Sequence, residues 1–247
     1  VNLALKGILY SLVAGLATTL GALPFMAMKK GISRRTLDIL LGFAAGVMLA
    51  ATAFSLVVPS IELGGPLRFV IGFTLGAIFV DIMDKLAPHE HLIKGYEGPL
   101  EHSKVSKIWL FVIAITLHNF PEGMAVGVGA FTTEALVIAM AIGVQNIPEG
   151  AAVMASLVGA GYKPTRALRI SFLTGMVEVV GGLLGAILIS VVRPLLPYAM
   201  AFAGGAMLFV ISDEVVPETH SGGFERASTY SLIFGFIVMA LLDNILG

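Results

Sequence analysis

His-Asn-Phe-Pro-Glu-Gly, from His118 to Gly123, and Gln-Asn-Ile-Pro-Glu-Gly, from Gln145 to Gly150, are near-identical hexapeptides set in consecutive apolar runs, roughly 108 to 130 and 134 to 159. Each run is long enough to cross about 30 Å of hydrocarbon as a helix. The two motifs therefore place imidazole, amide, carboxylate and proline at membrane depth. An ionisable residue there costs at least about 2.5 kcal/mol on insertion scales, so a functional site is the default reading.

Working outward from the motifs, the composition agrees with a membrane setting. Of 247 residues 57% are hydrophobic and only 13% charged, with a mean hydropathy of +0.95; a soluble domain carries about 25% charged residues. Six further apolar stretches reach spanning length, at roughly 4 to 27, 37 to 59, 66 to 86, 168 to 192, 197 to 216 and 228 to 246. The first is too long and too poorly charged at its start for a signal peptide and reads as a true helix. Little chain remains outside the bilayer, so residues 1 to 247 form a single transmembrane domain. A net charge of -1 with no basic stripe gives no footing for nucleic acid. With no cysteine, disulfides and thiolate ligands are excluded, leaving His, carboxylate, amide and Met as ligand types.

Orientation follows from the connections. On one side lie twelve basic residues: Lys29, Lys30, Arg34, Arg35, Lys85, Lys94, Lys104, Lys107, Lys163, Arg166, Arg169 and Arg226. The other side has Lys6, Arg68 and Arg193. By the positive-inside rule the first set is cytoplasmic and both termini are extracytoplasmic, as suits a multi-pass protein of the cell (inner) membrane. The connection at about 87 to 107 is then cytoplasmic, and Pro88, Gly95, Gly98 and Pro99 argue against a continuous helix there. Three spans precede the motif pair and three follow it. Because three is odd, related triplets would have opposite topology, the inverted-repeat plan common among transporters. The expected fold is an all-α polytopic membrane protein of eight transmembrane helices in a 3+2+3 arrangement, the outer triplets forming a candidate inverted repeat. Small-residue pairs at Gly42/Gly46, Gly72/Gly76, Gly123/Gly127 and Gly181/Gly185 suit close helix approach.

On a helix His118 and Glu122 share a face, as do Gln145 and Glu149. His118 lies ten residues into its span, about 15 Å at 1.5 Å per residue and close to the midplane. Gln145 is eleven residues in, and Glu178, the charged residue deep in the sixth span, is ten. Three carboxylates, an imidazole and several amides at one depth repel one another or stay protonated unless a cation compensates them. Pro121 cannot donate to the carbonyl of Leu117, nor Pro148 to that of Val144, so each motif is expected to free backbone oxygens and kink or unwind its helix beside a polar cavity. Imidazole with carboxylate and amide suits zinc, iron(II), manganese or cadmium, whereas magnesium and calcium favour all-oxygen sites. Such ligands shed protons to bind metal, so transport is expected to depend on pH.

The pair HNFPEG and QNIPEG on the fourth and fifth of eight helices resembles the ZIP (Zrt/Irt-like) family of divalent-metal transporters, particularly its bacterial GufA-like branch. The similarity extends to LGFAAGVMLAA at Leu41 to Ala51, to Glu178 and to SDEVVPETH at Ser212 to His220. It implies a 3+2+3 bundle, uptake of zinc and related divalent ions towards the cytoplasm, a two-metal site between helices four and five, and a homodimer. By motif, His118, Glu122, Gln145 and Glu149 would bind one ion, with Met48 as an extra ligand. Asn119, Glu122, Asn146, Glu149 and Glu178 would hold its neighbour, the glutamates bridging. Many family members have His at the place of Gln145, and some have Asp at that of Asn146. The metal would be transported substrate, with no separate cofactor.

Other residues are candidates by position. Ser55 and Glu62, towards the outer end of the second span, are entrance candidates. Asp81, Asp84, Asp213, Glu214, Glu218 and His220, at cytoplasmic helix ends, are exit candidates, with His89, His91 and His102 in the long loop. Asp243, near the end of the last span, is assigned no role. An intramembrane metalloprotease would need a His-Glu-x-x-His helix, and none is present, so no enzyme is expected. A carrier, a metal-selective channel and a non-transporting sensor would coordinate metal equally well, and the sequence leaves the three open.

Overall fold

A computed structural model describes residues 2–27, 31–86, 89–91, 95–97 and 107–246. Helix α1 (Leu3–Ala22) starts where the Asn2 side chain accepts from the amide of Ala4 and runs into a 3-10 segment, Leu23–Ala27. Helix α2 (Arg34–Ala51) is capped by Ser33, whose hydroxyl accepts from the amide of Thr36. A π-helical segment, Thr52–Val57, links it to α3 (Val58–Leu86). Then come α4 (Lys107–Gly129), α5 (Ala135–Gly159), α6 (Pro164–Val191) and α7 (Leu196–Val210). A second π-helical segment, Ile211–Val215, leads into the short α8 (Val216–His220), and α9 (Glu225–Leu246) follows. Between α3 and α4, β1 (His89–His91) and β2 (Gly95–Glu97) pair antiparallel, His89 opposite Glu97. The expectation that this connection is not a continuous helix agrees with that pairing.

Among the described residues seven helical stretches are long and apolar enough to cross a membrane, where the sequence leads one to expect eight spans. The difference lies in one place. Residues 34–86 form a single 53-residue stretch, about 80 Å at 1.5 Å per residue and far longer than one crossing needs. It is broken at Gly65, where φ is 74° and ψ 170°, just before Pro66. Glycine reaches that conformation without the clash a Cβ would bring. The boundary expected between the second and third spans thus falls at this break, within one continuous stretch.

The helices are apolar outside and small inside. On α1, Leu5, Leu9, Val13, Leu16 and Leu20 are exposed, while Gly7, Ser11, Ala14, Gly15 and Thr18 are buried. Lipid gives no hydrophobic drive for association, so close packing of small residues must hold the bundle. Helix α1 packs on α5 and α6, and α4 on α6; α2 packs on α9, and α3 on α7. Helices α2 and α5, and α4 and α7, join these two groups. The glycine ending each hexapeptide sits at such a contact. A Cβ on Gly123 would overlap the carbonyl oxygen of Glu178, and one on Gly150 that of Thr18.

The expectation of unwound backbone at the motif prolines is not met: α4 and α5 remain helical through Pro121 and Pro148. Departures from α-helix fall instead at the two π-helical segments and at Gly65. A proline removes one hydrogen bond but its φ suits the helix, and tight packing on both motif glycines holds the following turn in place.

Candidate metal centre

Helices α4, α5 and α6 bring the motif residues and Glu178 together, and His118, Asn119, Glu122, Gln145, Asn146, Glu149 and Glu178 are all buried. Gln145 donates through Nε2 to Glu122 Oε1 at 2.5 Å. Asn146 donates through Nδ2 to Glu178 Oε1 at 2.7 Å and to the carbonyl of Ala14 at 2.8 Å, tying α5 to α6 and α1. Asn119 donates through Nδ2 to the carbonyl of Thr174 at 2.8 Å. The amide hydrogens are thereby turned onto carboxylate and carbonyl oxygens, and the amide oxygens are left over.

What remains is a concentration of buried acceptors. Asn119 Oδ1, Glu122 Oε2, Gln145 Oε1, Asn146 Oδ1, Glu149 Oε2, Glu178 Oε2 and His118 Nδ1 have no hydrogen-bond partner. A buried polar atom without a partner costs about 1–3 kcal/mol, more where it is charged. Six of these atoms are oxygens, which as ionised carboxylates and amide carbonyls cannot donate to one another; protons on the carboxyls or a bound cation would satisfy them. As they stand, no three His, Asp or Glu side chains among the described residues are arranged to hold a metal ion. The sequence expected four ligands aimed at one point; the structure has amide–carboxylate pairs. Rotating the amide of Gln145 or Asn146 exchanges its NH₂ for its oxygen, which would release the paired carboxylate and add a neutral oxygen ligand.

His118 carries a further contact: its Nε2 lies 2.5 Å from Glu214 Oε2. Glu214 belongs to the π-helical segment after α7, and this contact reaches from that segment to the first motif. A cavity of about 40 Å³ opens beside it, lined by His118, Glu149, Glu214 and Glu218 together with Leu41 and Phe111. At about 10–15 Å³ per water it has room for a few water molecules. The cavity thus joins His118 and Glu149 of the motifs to Glu214 and Glu218 of the segments after α7.

The remaining sequence candidates divide. Met48 is fully buried in an apolar cluster that includes Val126 of α4 and Ile142 of α5. Ser55, in the first π-helical segment, donates to Asp243 Oδ1 of α9 at 2.6 Å, while Glu62 is exposed. Asp84 is buried, Asp213 is half-buried, and Asp81 pairs with Lys85 at 2.6 Å on an exposed face. His220 lies with Nδ1 2.9 Å from the carbonyl of Val216 and Nε2 3.0 Å from Thr229 Oγ1, both ring nitrogens engaged. His89 and His91 form β1, and His102 lies outside the described residues.

Two groupings escaped the sequence reading. Asp243 is paired with Ser55, although a carboxylate near a helix end reads as solvated. Arg34, read as one of many cytoplasmic cations, holds both Asp38 at 2.9 Å and Glu218 at 3.0 Å, with the Asp38 side chain wholly buried. The i, i+4 spacing of Arg34 and Asp38 was a usable signal; the reach to Glu218 was not.

Residues 89–243 match the family described as ZIP Zinc transporter. The chain is 45% identical to the zinc transporter GufA of Myxococcus xanthus, over 98% of this chain and 99% of that protein. It is 41% identical to the zinc transporter ZIPB of Bordetella bronchiseptica, over 94% of this chain and 78% of that one. It is 35% identical to the zinc transporter ZIP11 of Homo sapiens, over 93% and 94% of the two chains.

Proposed function

We propose, since this chain belongs to the ZIP family of zinc transporters, that it moves zinc into the cytoplasm through a site shared by α4, α5 and α6. Cadmium, iron(II) and manganese are further substrates by ligand chemistry. A member of this family is a transporter and not an enzyme. The observation that carries the reading is the set of unpartnered buried acceptors on Asn119, Glu122, Gln145, Asn146, Glu149 and Glu178, beside the His118 imidazole.

In this reading His118, Glu122, Gln145 and Glu149 hold one ion, with Met48 in reserve from α2. Asn119, Asn146 and Glu178 share the glutamates with a second. Loading turns the Gln145 and Asn146 amides so that their oxygens face the metal. Release begins at His118, because Glu214 competes for the same imidazole, and proceeds along the cavity past Glu214 and Glu218. Ser55 and Asp243 stand at the opposite end, where entry is proposed.

The 53-residue stretch is taken to cross twice with its corner at Gly65, which makes eight crossings in a 3+2+3 order and leaves both termini extracytoplasmic. The packing supports a related pair of triplets. Exchanging α1 with α6, α2 with α7, α3 with α9 and α4 with α5 turns the α2–α9 contact into α7–α3. The same exchange turns α1–α5 into α6–α4, and α2–α5 into α7–α4. The two π-helical segments also exchange, one following α2 and one following α7. Alternating access then consists of the group α1, α4, α5 and α6 moving against α2, α3, α7 and α9.

Uptake of radioactive zinc into proteoliposomes tests this. Native protein should give saturable flux, with His118→Ala and Glu149→Ala reducing it to the level of empty vesicles and cadmium competing. Native flux that survives both substitutions would remove the site from the pathway.

A further inference from the structure

Behind Glu218, a wall of the cavity, sits a cation of the protein's own. Arg34, the first residue of α2, donates through Nη2 to Glu218 Oε1 at 3.0 Å, to the Glu218 carbonyl at 2.9 Å and to Ser221 Oγ at 2.5 Å. Its Nε lies 2.9 Å from Asp38 Oδ1. Gly222 closes over the group, since a Cβ there would overlap Asp38 Oδ2 and the Arg34 side chain. Glu218 is at once a partner of Arg34 and a wall of the cavity that leads from His118 and Glu149.

Carboxylates at this place create a difficulty for release. A departing divalent ion meets Glu214, then Glu218, with the wholly buried Asp38 behind it, and a pathway must bind its ion weakly enough to let it go. One guanidinium beside two carboxylates offsets one of their two negative charges, and its planar fork engages both, through Nε to Asp38 and through Nη2 to Glu218.

We propose that Arg34 is a positioning residue for metal release: it occupies Asp38 and Glu218 as an internal counter-cation, so that zinc passes Glu218 without being held there. The inference rests on the proposed exit of zinc along this cavity. Removing the guanidinium converts the mouth into a divalent-cation site made of the Asp38 and Glu218 carboxylates. A purely structural tie between α2 and α8 predicts loss of stability without any new site.

The test counts zinc bound at equilibrium to purified full-length protein and measures zinc flux of the same preparations in proteoliposomes. Arg34→Gln should bind one more zinc per chain than native and carry zinc about tenfold more slowly, since tighter binding acts chiefly through slower dissociation. Adding Asp38→Asn and Glu218→Gln to Arg34→Gln should remove the extra zinc, and Arg34→Lys, which keeps the charge, should bind the native number. Should Arg34→Gln not fold, Arg34→Met, which keeps the packed stem and loses the charge, decides the matter. One more zinc per chain than native is expected, and the native number in the folded variant would overturn the role of Arg34. Native protein that carries no zinc would overturn the transport reading. Native flux with no extra zinc in a folded Arg34→Gln protein would overturn the role of Arg34 alone.

Discussion

In the proposed centre Gln145 would offer a neutral oxygen in place of an imidazole, and its NH₂ is held on Glu122 Oε1. An amide is a weaker zinc ligand than imidazole and must rotate before it binds at all. Gln145→His should therefore tighten zinc binding by about tenfold, or ~1.4 kcal/mol, and slow turnover, as titration calorimetry and proteoliposome flux would register. Unchanged affinity would mean that this position does not touch the metal. The motif residues were legible in the sequence because a carboxylate or imidazole in the middle of an apolar run has no ordinary reason to be there. The reach of Arg34 to Glu218 and the pairing of Ser55 with Asp243 were not, because carboxylates near helix ends usually meet water and the members of each pair lie more than 180 residues apart in the chain.

Helices α4 and α5 continue through both motif prolines, where unwinding was expected, and the irregular turns appeared where no residue announces them. A π-helical turn carries an extra residue and shifts the side chains beyond it around the axis; such turns cluster at functional sites. Each one here presents a polar side chain to another helix: Ser55 to Asp243 on α9, and Glu214 to His118 on α4. The sequence shows none of this, because the segments TAFSLV and ISDEV read as ordinary helix. Glycine spacing did foretell close approach, though not which helix approaches which. The consequence is sharpest at Gly123, where α4 lies against the backbone of α6 at Glu178. Gly123→Leu should separate the two helices and destabilise the protein by on the order of 1–3 kcal/mol, read as a lower Tm in detergent, with zinc binding lost because Glu178 moves from Asn146. A Tm equal to native would refute the contact.

Across the whole molecule, hydropathy and composition were enough to recognise a polytopic helical membrane protein, and the chain belongs to a family of zinc transporters. What they could not supply is how the spans divide into two groups, since lipid-facing and helix-facing surfaces are both apolar and no period in the sequence separates them. The contacts supply it: α1, α4, α5 and α6 carry most of the candidate ligands, and α2, α3, α7 and α9 carry Glu214, Arg34, Ser55 and Asp243 at the two ends of the proposed path. Anomalous scattering at the zinc edge, from crystals of the native protein grown with zinc, tests whether the acceptor cluster is where the cation sits. A peak bonded to His118, Glu122 and Glu149 is expected, with the Gln145 amide oxygen turned towards it. Zinc peaks confined to surface histidines and carboxylates, with Gln145 still donating to Glu122, would contradict that placement.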